Sequence, residues 1–370
     1  MELSEDAEVP EGNAHVNVSV IGTTTDAYEF AAAGEAADLD DLQDVWESAM
    51  EEIFPYRSKT SRHASETETR PETETINYRK GRQAFYAGDP LKAKPRVLIP
   101  VFPGNNCEYD AEAAFAAAGA DPHTLIVNNL SPEAVAQSSR KLAKEIKASQ
   151  IIMIPGGFSG GDEPDGSAKF ITAFFRAPAV TDAVRDLLGN RDGLMLGICN
   201  GFQALIKLGL VPYGDIVDPN ENQPTLTFNT IGRHQSRLVR TRISSDLSPW
   251  MEGCKVGDIF TIPISHGEGR FVASPEQIRQ LADAGQIATQ YVDENGNASM
   301  DLADNPNGSM AALEALTSPD GRVLGKMGHS ERRGDGLYLN VPGREFQPIF
   351  EAGVRYFTGE DANPTGERKA

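Results

Sequence analysis

From Pro95 onward, short apolar runs alternate with stretches of helical character, and this alternation most narrows the folds open to the chain. Val97-Leu98-Ile99, Thr124-Leu125-Ile126-Val127, Ile151-Ile152-Met153-Ile154 and Leu194-Met195-Leu196-Gly197-Ile198 each read as a buried strand. Between them lie Ala111–Ala118, alanine-rich and ended by Gly119, and Ser131–Ser149, opened by a Ser-Pro-Glu cap signal. A further amphipathic helix is expected from about Asn200 to Leu208. Strands of this kind need helices on both faces, so the order predicts an α/β fold with a parallel sheet flanked by helices. Asn220–Phe271 has a more β-like texture and predicts an antiparallel excursion.

The chain upstream is of a different kind. Residues 1–56 contain a β-rich patch, Val16–Thr23. They also contain a helical pattern over Leu39–Ile53, in which Leu39, Leu42, Val45, Trp46, Met50 and Ile53 recur on one face. Residues 57–94 are polar, and the run from Ser65 to Thr75 is low in complexity and lacks core-forming residues, which predicts a linker or surface-hugging connector. The expected organisation is thus an N-terminal segment (1–56), a linker (57–94) and one large domain (95–370).

Bulk properties exclude several classes of function. The formal net charge is −20, and the first Lys or Arg is Arg57. A chain this acidic repels nucleic acid and anionic lipid, so neither is expected as a partner. It has no run of about 18 or more apolar residues to span a membrane, and its acidic start is no secretory signal. Three cysteines, at 107, 199 and 254, are too few for a disulfide framework and fit a reducing cytoplasm. No Cys/His cluster has zinc-ligand spacing, so no metal site is expected.

The sharpest chemical signal is Gly197-Ile198-Cys199-Asn200-Gly201-Phe202-Gln203. A buried strand runs straight into a helix with a cysteine at the corner. The pattern resembles a nucleophile elbow, where small neighbours permit a strained turn that presents the side chain to a cleft. The positive end of the helix dipole behind the sulfur favours thiolate. A buried, inert cysteine is the plainer reading, and the flanking glycines weigh against it. A nucleophile needs a base, and the base needs an orienting group. His329 and Glu331, two residues apart in Lys326-Met327-Gly328-His329-Ser330-Glu331-Arg332, can supply both. Pro155-Gly156-Gly157-Phe158 follows a strand and offers backbone N–H groups which, with that of Asn200, are candidate oxyanion donors.

In combination these motifs resemble the class I (triad) glutamine amidotransferases, which order oxyanion glycines, G-x-C-x-G-x-Q and H-x-E in this way. Within that group the likeness is closest to the glutaminase domain of the phosphoribosylformylglycinamidine synthase family. It is carried by Pro103–Glu108 (PGNNCE), Gly156–Asp162 (GGFSGGD), Ser265–Arg270 (SHGEGR) and Asn305–Ser309 (NPNGS), and extends over about Lys94–Phe357.

The resemblance implies a flavodoxin-like sheet and a catalytic triad of Cys199, His329 and Glu331. Gln203 matches the position that contacts bound glutamine, and Gly156, Gly157, Phe158, Asn200 and His266 match the oxyanion and substrate side. It also implies a synthetase partner, as domain or subunit, that holds ATP and magnesium and acts on formylglycinamide ribonucleotide. No cofactor is implied in this domain, which has no G-x-x-x-x-G-K-[ST] loop. The stretch Val16–Pro55 resembles the end of the synthetase region in the long single-chain form, so the chain reads as the C-terminal part of such an enzyme or a subunit of a split one.

Many relatives flank the histidine with prolines; Gly328 and Ser330 stand there here, so a less rigid loop is expected. His266 with Glu268 is a second possible His–carboxylate pair, read chiefly as pocket lining. Cys107 lacks a glycine-flanked elbow and is not expected to be the nucleophile; Cys254 reads as packing. The competing readings are another α/β cysteine hydrolase and a non-catalytic subunit that keeps the fold.

Overall fold

The computed structural model describes residues 9, 12, 15–25, 27–48, 73–79, 86–159, 167–220, 222–334 and 337–359. Met1–Tyr56 and Arg57–Ala370 form two compact units. In the first, strands β1 (Glu29–Ala32) and β2 (Glu35–Asp38) make an antiparallel hairpin, and helix α1 (Leu39–Ser48) follows. Ala33 and Gly34 both have positive φ (54° and 86°), which gives the tight turn a twist matching that of the strands. The Asp38 carboxylate accepts the Asp40 N–H at the start of α1 (2.8 Å).

The expected strand over Val16–Thr23 does not form. Those residues are exposed, Ile21 almost completely (99%), so among the described residues nothing covers an apolar face for a strand to bury. The expected helix ends at Ser48 among the described residues; Met50 and Ile53 lie outside them, as does the low-complexity run from Ser65 to Glu72.

The second unit is ordered β3 (Arg96–Val101), α2 (Glu108–Ala117), β4 (Asp121–Ile126), α3 (Pro132–Ala148), β5 (Ile151–Ile154), α4 (Lys169–Phe175), α5 (Pro178–Asn190), β6 (Leu194–Ile198), α6 (Asn200–Leu208) and α7 (Leu210–Tyr213). There follow β7 (Thr225–Phe228), β8 (Gln235–Ile243), β9 (Ile259–His266), β10 (Glu268–Val272), α8 (Pro275–Asp283), β11 (Ile287–Tyr291), β12 (Leu313–Thr317), β13 (Val323–Lys326) and α9 (Ile349–Thr358).

One sheet of nine strands runs β4-β3-β5-β6-β13-β12-β11-β8-β9. The half from β4 to β13 is parallel, and the half beyond β13 is antiparallel. The fold is therefore an α/β fold built on a mixed sheet flanked by helices. The antiparallel excursion expected over Asn220–Phe271 is present as β8 and β9, with β7 and β10 paired in a small separate sheet.

Local chemistry accounts for the elements. β5 and β6 are buried along their whole length, as their unbroken apolar runs require. Ser131 caps α3 by accepting the Ala134 N–H (3.1 Å), and Ser274 with Gln277 forms a reciprocal capping box at α8. β4 begins earlier than its apolar run suggested, because the polar Asp121-Pro122-His123 lies on an edge strand.

Residues 73–79 lie against the antiparallel half: the Tyr78 N–H donates to Ser244 O (2.8 Å) and the Ile76 N–H to the Gln290 side chain (2.8 Å). Around α2 and α9, Phe115 packs edge-on to Phe350 (ring centroids 5.0 Å apart) and near Trp250 (6.4 Å), all fully buried. Phe115→Ala should lower stability by about 3–5 kcal/mol, read from the midpoint of chemical denaturation.

Candidate active site

The C-terminal ends of the parallel strands converge on one region, where ligands bind in open α/β sheets. β6 and β13 are paired in register, Gly197 beside Gly325 and Ile198 beside Lys326. The Cys199 N–H then donates to Lys326 O (2.8 Å), so the two strands release their next residues at the same level. Cys199 has φ 53° and ψ −106°, a conformation that side-chain-bearing residues rarely adopt.

The glycines on either side are demanded by contact. A Cβ at Gly201 would lie 2.0 Å from Ile154 O, and one at Gly197 would lie 2.6 Å from Gly201 O. Helix α6 is therefore pressed flush against β5 and β6, and the cysteine takes the strain of the corner. Cys199 is buried, with its Sγ 3.6 Å from Ser265 O.

Beyond β13 the backbone N–H of His329 donates to Pro263 O (2.8 Å). Its Nδ1 is 2.6 Å from Glu331 Oε1, with both side chains buried, while Nε2 makes no hydrogen bond among the described residues. Gly156 separates the imidazole from the cysteine: a Cβ there would be 2.9 Å from His329 Cε1 and 3.4 Å from Cys199 Cβ. Burial alone would lower the His329 pKa. The Glu331 charge opposes it, aided by the Cys107 and Cys199 sulfurs and the Glu331 hydrogen bond, and holds the pKa well above the ordinary histidine value.

The glycine loop meets Gly104–Asn106. The Phe158 N–H donates to Gly104 O (2.8 Å) and the Asn106 N–H to Gly156 O (3.3 Å). The Phe158 amide, expected among the oxyanion donors, is thus committed elsewhere, and its ring stands half-exposed near His234. The Gly157 N–H makes no hydrogen bond among the described residues. Gly157 has φ 133°, and a Cβ on it would lie 2.5 Å from Asn105 Cα.

A family profile described as a CobB/CobQ-like glutamine amidotransferase domain matches residues 94–357. The phosphoribosylformylglycinamidine synthase subunit PurQ of Chlorobaculum tepidum is 32% identical over 256 residues, 69% of this chain and 95% of that one. The PurQ subunit of Chlorobium chlorochromatii is 33% identical over 264 residues, 71% of this chain and 97% of its own. The chain belongs to the PurQ-type glutamine amidotransferases. The fold is also that of a chain in the structure of PurLQS from Thermotoga maritima, at 24% identity and a TM-score of 0.50, covering 71% of this chain and 99% of the other.

The remaining expected residues of the amidotransferase surround this centre. Asn200 is buried; its Oδ1 accepts the Ser159 N–H (3.2 Å) and its Nδ2 donates to Gln203 Oε1 (2.8 Å). Gln203 donates in turn to Glu268 O, so one end of its side chain braces Asn200 within α6 and the other ties α6 to β10. The Glu268 carboxylate accepts from the Ser167 N–H and hydroxyl (3.0 and 2.6 Å), so it is not paired with His266.

His266 instead has its Nε2 against Asn307 Nδ2 (3.1 Å) and its buried Nδ1 without a partner among the described residues. Because the amide nitrogen can only donate, the ring proton belongs on Nδ1. Burial, then the nearby His329 and His234, push its pKa down to about 3. The NPNGS stretch is the scaffold here: Asn307 Nδ2 also lies within bonding distance of Gly269 O and Tyr291 Oη, and Asn305 holds both backbone groups of Ser309.

Sequence reasoning missed Cys107 as a neighbour of the triad. It caps α2 with an unstrained backbone, and its Sγ lies 3.9 Å from His329 Nδ1 and 3.4 Å from Arg332 Nη2. Only the turn between β3 and α2 brings it there, and no local pattern around Cys107 encodes that approach. Donor atoms of Cys107, His329 and Glu331 lie within 4.8 Å of one another, a set with the chemistry of a zinc site. The His329–Glu331 hydrogen bond occupies the middle of that set, however, and the Arg332 guanidinium faces the sulfur, which disfavours a cation. Cys254 is buried.

The two imidazoles have opposite linkage to stability. With a folded pKa above the unfolded value of about 6.5, His329 adds stability below pH 6.5 that is lost as pH rises through its folded pKa. His266, depressed to about 3, adds stability above pH 6.5 that is lost as pH falls below it. His329→Gln should therefore cost more stability at pH 6 than at pH 9; equal losses in denaturant melts at the two pH values would contradict the raised pKa.

Proposed function

We propose that this chain hydrolyses glutamine in the cytoplasm and delivers the ammonia to an ATP- and magnesium-dependent synthetase that converts formylglycinamide ribonucleotide to formylglycinamidine ribonucleotide. The observation that carries the reading is the meeting of Cys199, His329 and Glu331 at the ends of β6 and β13. The strained cysteine there stands across Gly156 from an imidazole whose other nitrogen is already bonded to a carboxylate.

In this scheme the Cys199 sulfur attacks the side-chain amide carbon of glutamine. Charge builds on the former carbonyl oxygen, and the Gly157 N–H with the N-terminus of α6 supplies the stabilising dipoles. His329 carries a proton readily because of Glu331, and gives it to the leaving nitrogen as the C–N bond breaks. The glutamyl thioester that remains is attacked by water, His329 takes a proton from that water, and breaking the C–S bond returns glutamate and the free cysteine. His266, fixed as a neutral donor by Asn307, lines the substrate side. Asn200 and Gln203 hold the elbow to β10, so their contribution to glutamine binding is the shape of the pocket. PurQ-type relatives are named as subunits of a synthase, and a protein titled PurLQS shares this fold, which supports a synthetase partner for this chain.

Cys199→Ala should abolish glutamate release while Cys107→Ala leaves it measurable; the reverse outcome would move the nucleophile to Cys107. His329→Ala should cost more of the glutaminase rate than Glu331→Ala, since the base transfers the proton and the carboxylate positions it. Addition of the synthetase, its acceptor nucleotide and ATP should raise glutamine turnover, because a loaded partner selects the pocket geometry that completes the oxyanion site. Unchanged turnover in the mixture would remove the coupling, and ATP-dependent product from the isolated chain would remove the need for a partner.

A further inference from the structure

The loop that carries His329 rests on a buried ion pair. Lys326, the last residue of β13, and Glu314, on the neighbouring β12, are both fully buried, with Nζ 3.4 Å from Oε1. Their remaining bonding capacity is directed at that loop. Lys326 Nζ donates to Gly328 O and to Ser330 Oγ (2.8 Å each). Glu314 Oε1 accepts the Gly328 N–H (2.7 Å), and Thr289 Oγ donates to Glu314 Oε2. The Ser330 hydroxyl, held by the lysine, donates onward to Gln347 Oε1 (2.6 Å). Both residues flanking the catalytic imidazole are thus tied, one through its backbone and one through its side chain, to the same pair of charges. A Cβ at 328 would lie 2.2 Å from Ile262 Cδ1 and 3.0 Å from Glu314 Oε1, so glycine is what lets the loop lie on the pair.

We infer that Lys326 and Glu314 are positioning residues for the proposed glutaminase reaction, forming a charged strut that fixes the His329 loop against the nucleophile elbow. Stability alone does not account for them, since a buried ion pair is commonly replaced by apolar residues of similar volume without loss of stability. The pair's hydrogen bonds account for them better. All three Lys326 donors have a partner, two of them on the loop, and both Glu314 oxygens are engaged. Such a network has one arrangement of low energy, and that arrangement sets where the imidazole stands. The less rigid loop expected from Gly328 and Ser330 is therefore held by polar ties. The strut acts on the same rigid unit as the nucleophile, because Lys326 O also accepts the Cys199 N–H.

The inference rests on the glutaminase reading, so its test has one arm that needs no glutamine. The neutral pair Lys326→Met/Glu314→Gln removes both charges together, keeps a carbonyl acceptor for the Gly328 N–H while its amide NH2 can donate to Thr289 Oγ, and leaves no lone buried ion. The full chain would be compared with wild type in melting temperature, in the rate of Cys199 alkylation by iodoacetamide at pH 7 resolved by peptide mass, and in kcat and KM for glutamine.

Glu331, Cys107 and Cys199, the groups that raise the His329 pKa, are unchanged in the variant. A cooperative melt near that of wild type is expected, with alkylation and kcat each falling about tenfold to a hundredfold and KM nearly unchanged. Wild-type alkylation and kcat in a folded neutral pair would overturn the strut. If the neutral pair fails to fold, Ser330→Ala, which removes one tie and no charge, should still lower the alkylation rate; an unchanged rate there would overturn the proposal as well. A wild-type chain that does not hydrolyse glutamine even with the synthetase, its acceptor nucleotide and ATP, but whose Cys199 alkylation still falls in the variant, would refute the glutaminase reading and leave the strut standing.

Discussion

The close approach of helix α6 to strands β5 and β6 governs the whole site. Contact between Gly201 and Ile154 O leaves no space for a side chain at that point, and contact at Gly197 closes the gap from the other side. With both neighbours pinned, the chain turns from strand to helix in one residue, and Cys199 takes the unfavourable dihedrals. A conformation of this kind costs on the order of 1–3 kcal/mol and persists only where the surroundings over-determine it. Here they do, through the buried apolar strands beneath and the side-chain ties from Asn200 and Gln203 above.

Electrostatics then divides labour between two histidines in one buried region. Desolvation acts on both and favours the neutral ring. At His329 a carboxylate 2.6 Å away reverses that preference. At His266 the neighbour is the amide of Asn307, which can only donate, and the ring stays neutral. The same side chain thus favours the protonated ring in one place and the neutral ring in the other, with the partner deciding which.

Much of this was legible in the residues. The unbroken apolar runs of β5 and β6, the glycines around Cys199 and the spacing of His329 and Glu331 announce both the sheet and the centre, because each is a local pattern with a local cause. What stayed hidden depends on contacts distant in sequence. Cys107 reaches the imidazole only because β3 lies beside β5. The commitment of the Phe158 amide to Gly104 depends on how two loops meet. The Val16–Thr23 pattern promised a strand, but β propensity is a statement about a half-buried surface, and among the described residues that patch lies exposed. The Lys326–Glu314 pair was equally invisible, since nothing in either local sequence distinguishes a buried lysine from an exposed one.

Strand β13 has a double character: it is parallel to β6 on one side and antiparallel to β12 on the other. Cys199, the proposed nucleophile, belongs to the first half of the sheet, and His329, the proposed base, follows the strand at the seam. Everything between Gly209 and Arg322 leaves the parallel half and must return to the same ledge beside β6. The register of one strand pair therefore sets the spacing of Cys199 and His329, whatever the length of chain looped out between them. That intervening stretch can gain or lose loops and change its outer surface, and with it the shape offered to other molecules, without disturbing this candidate site.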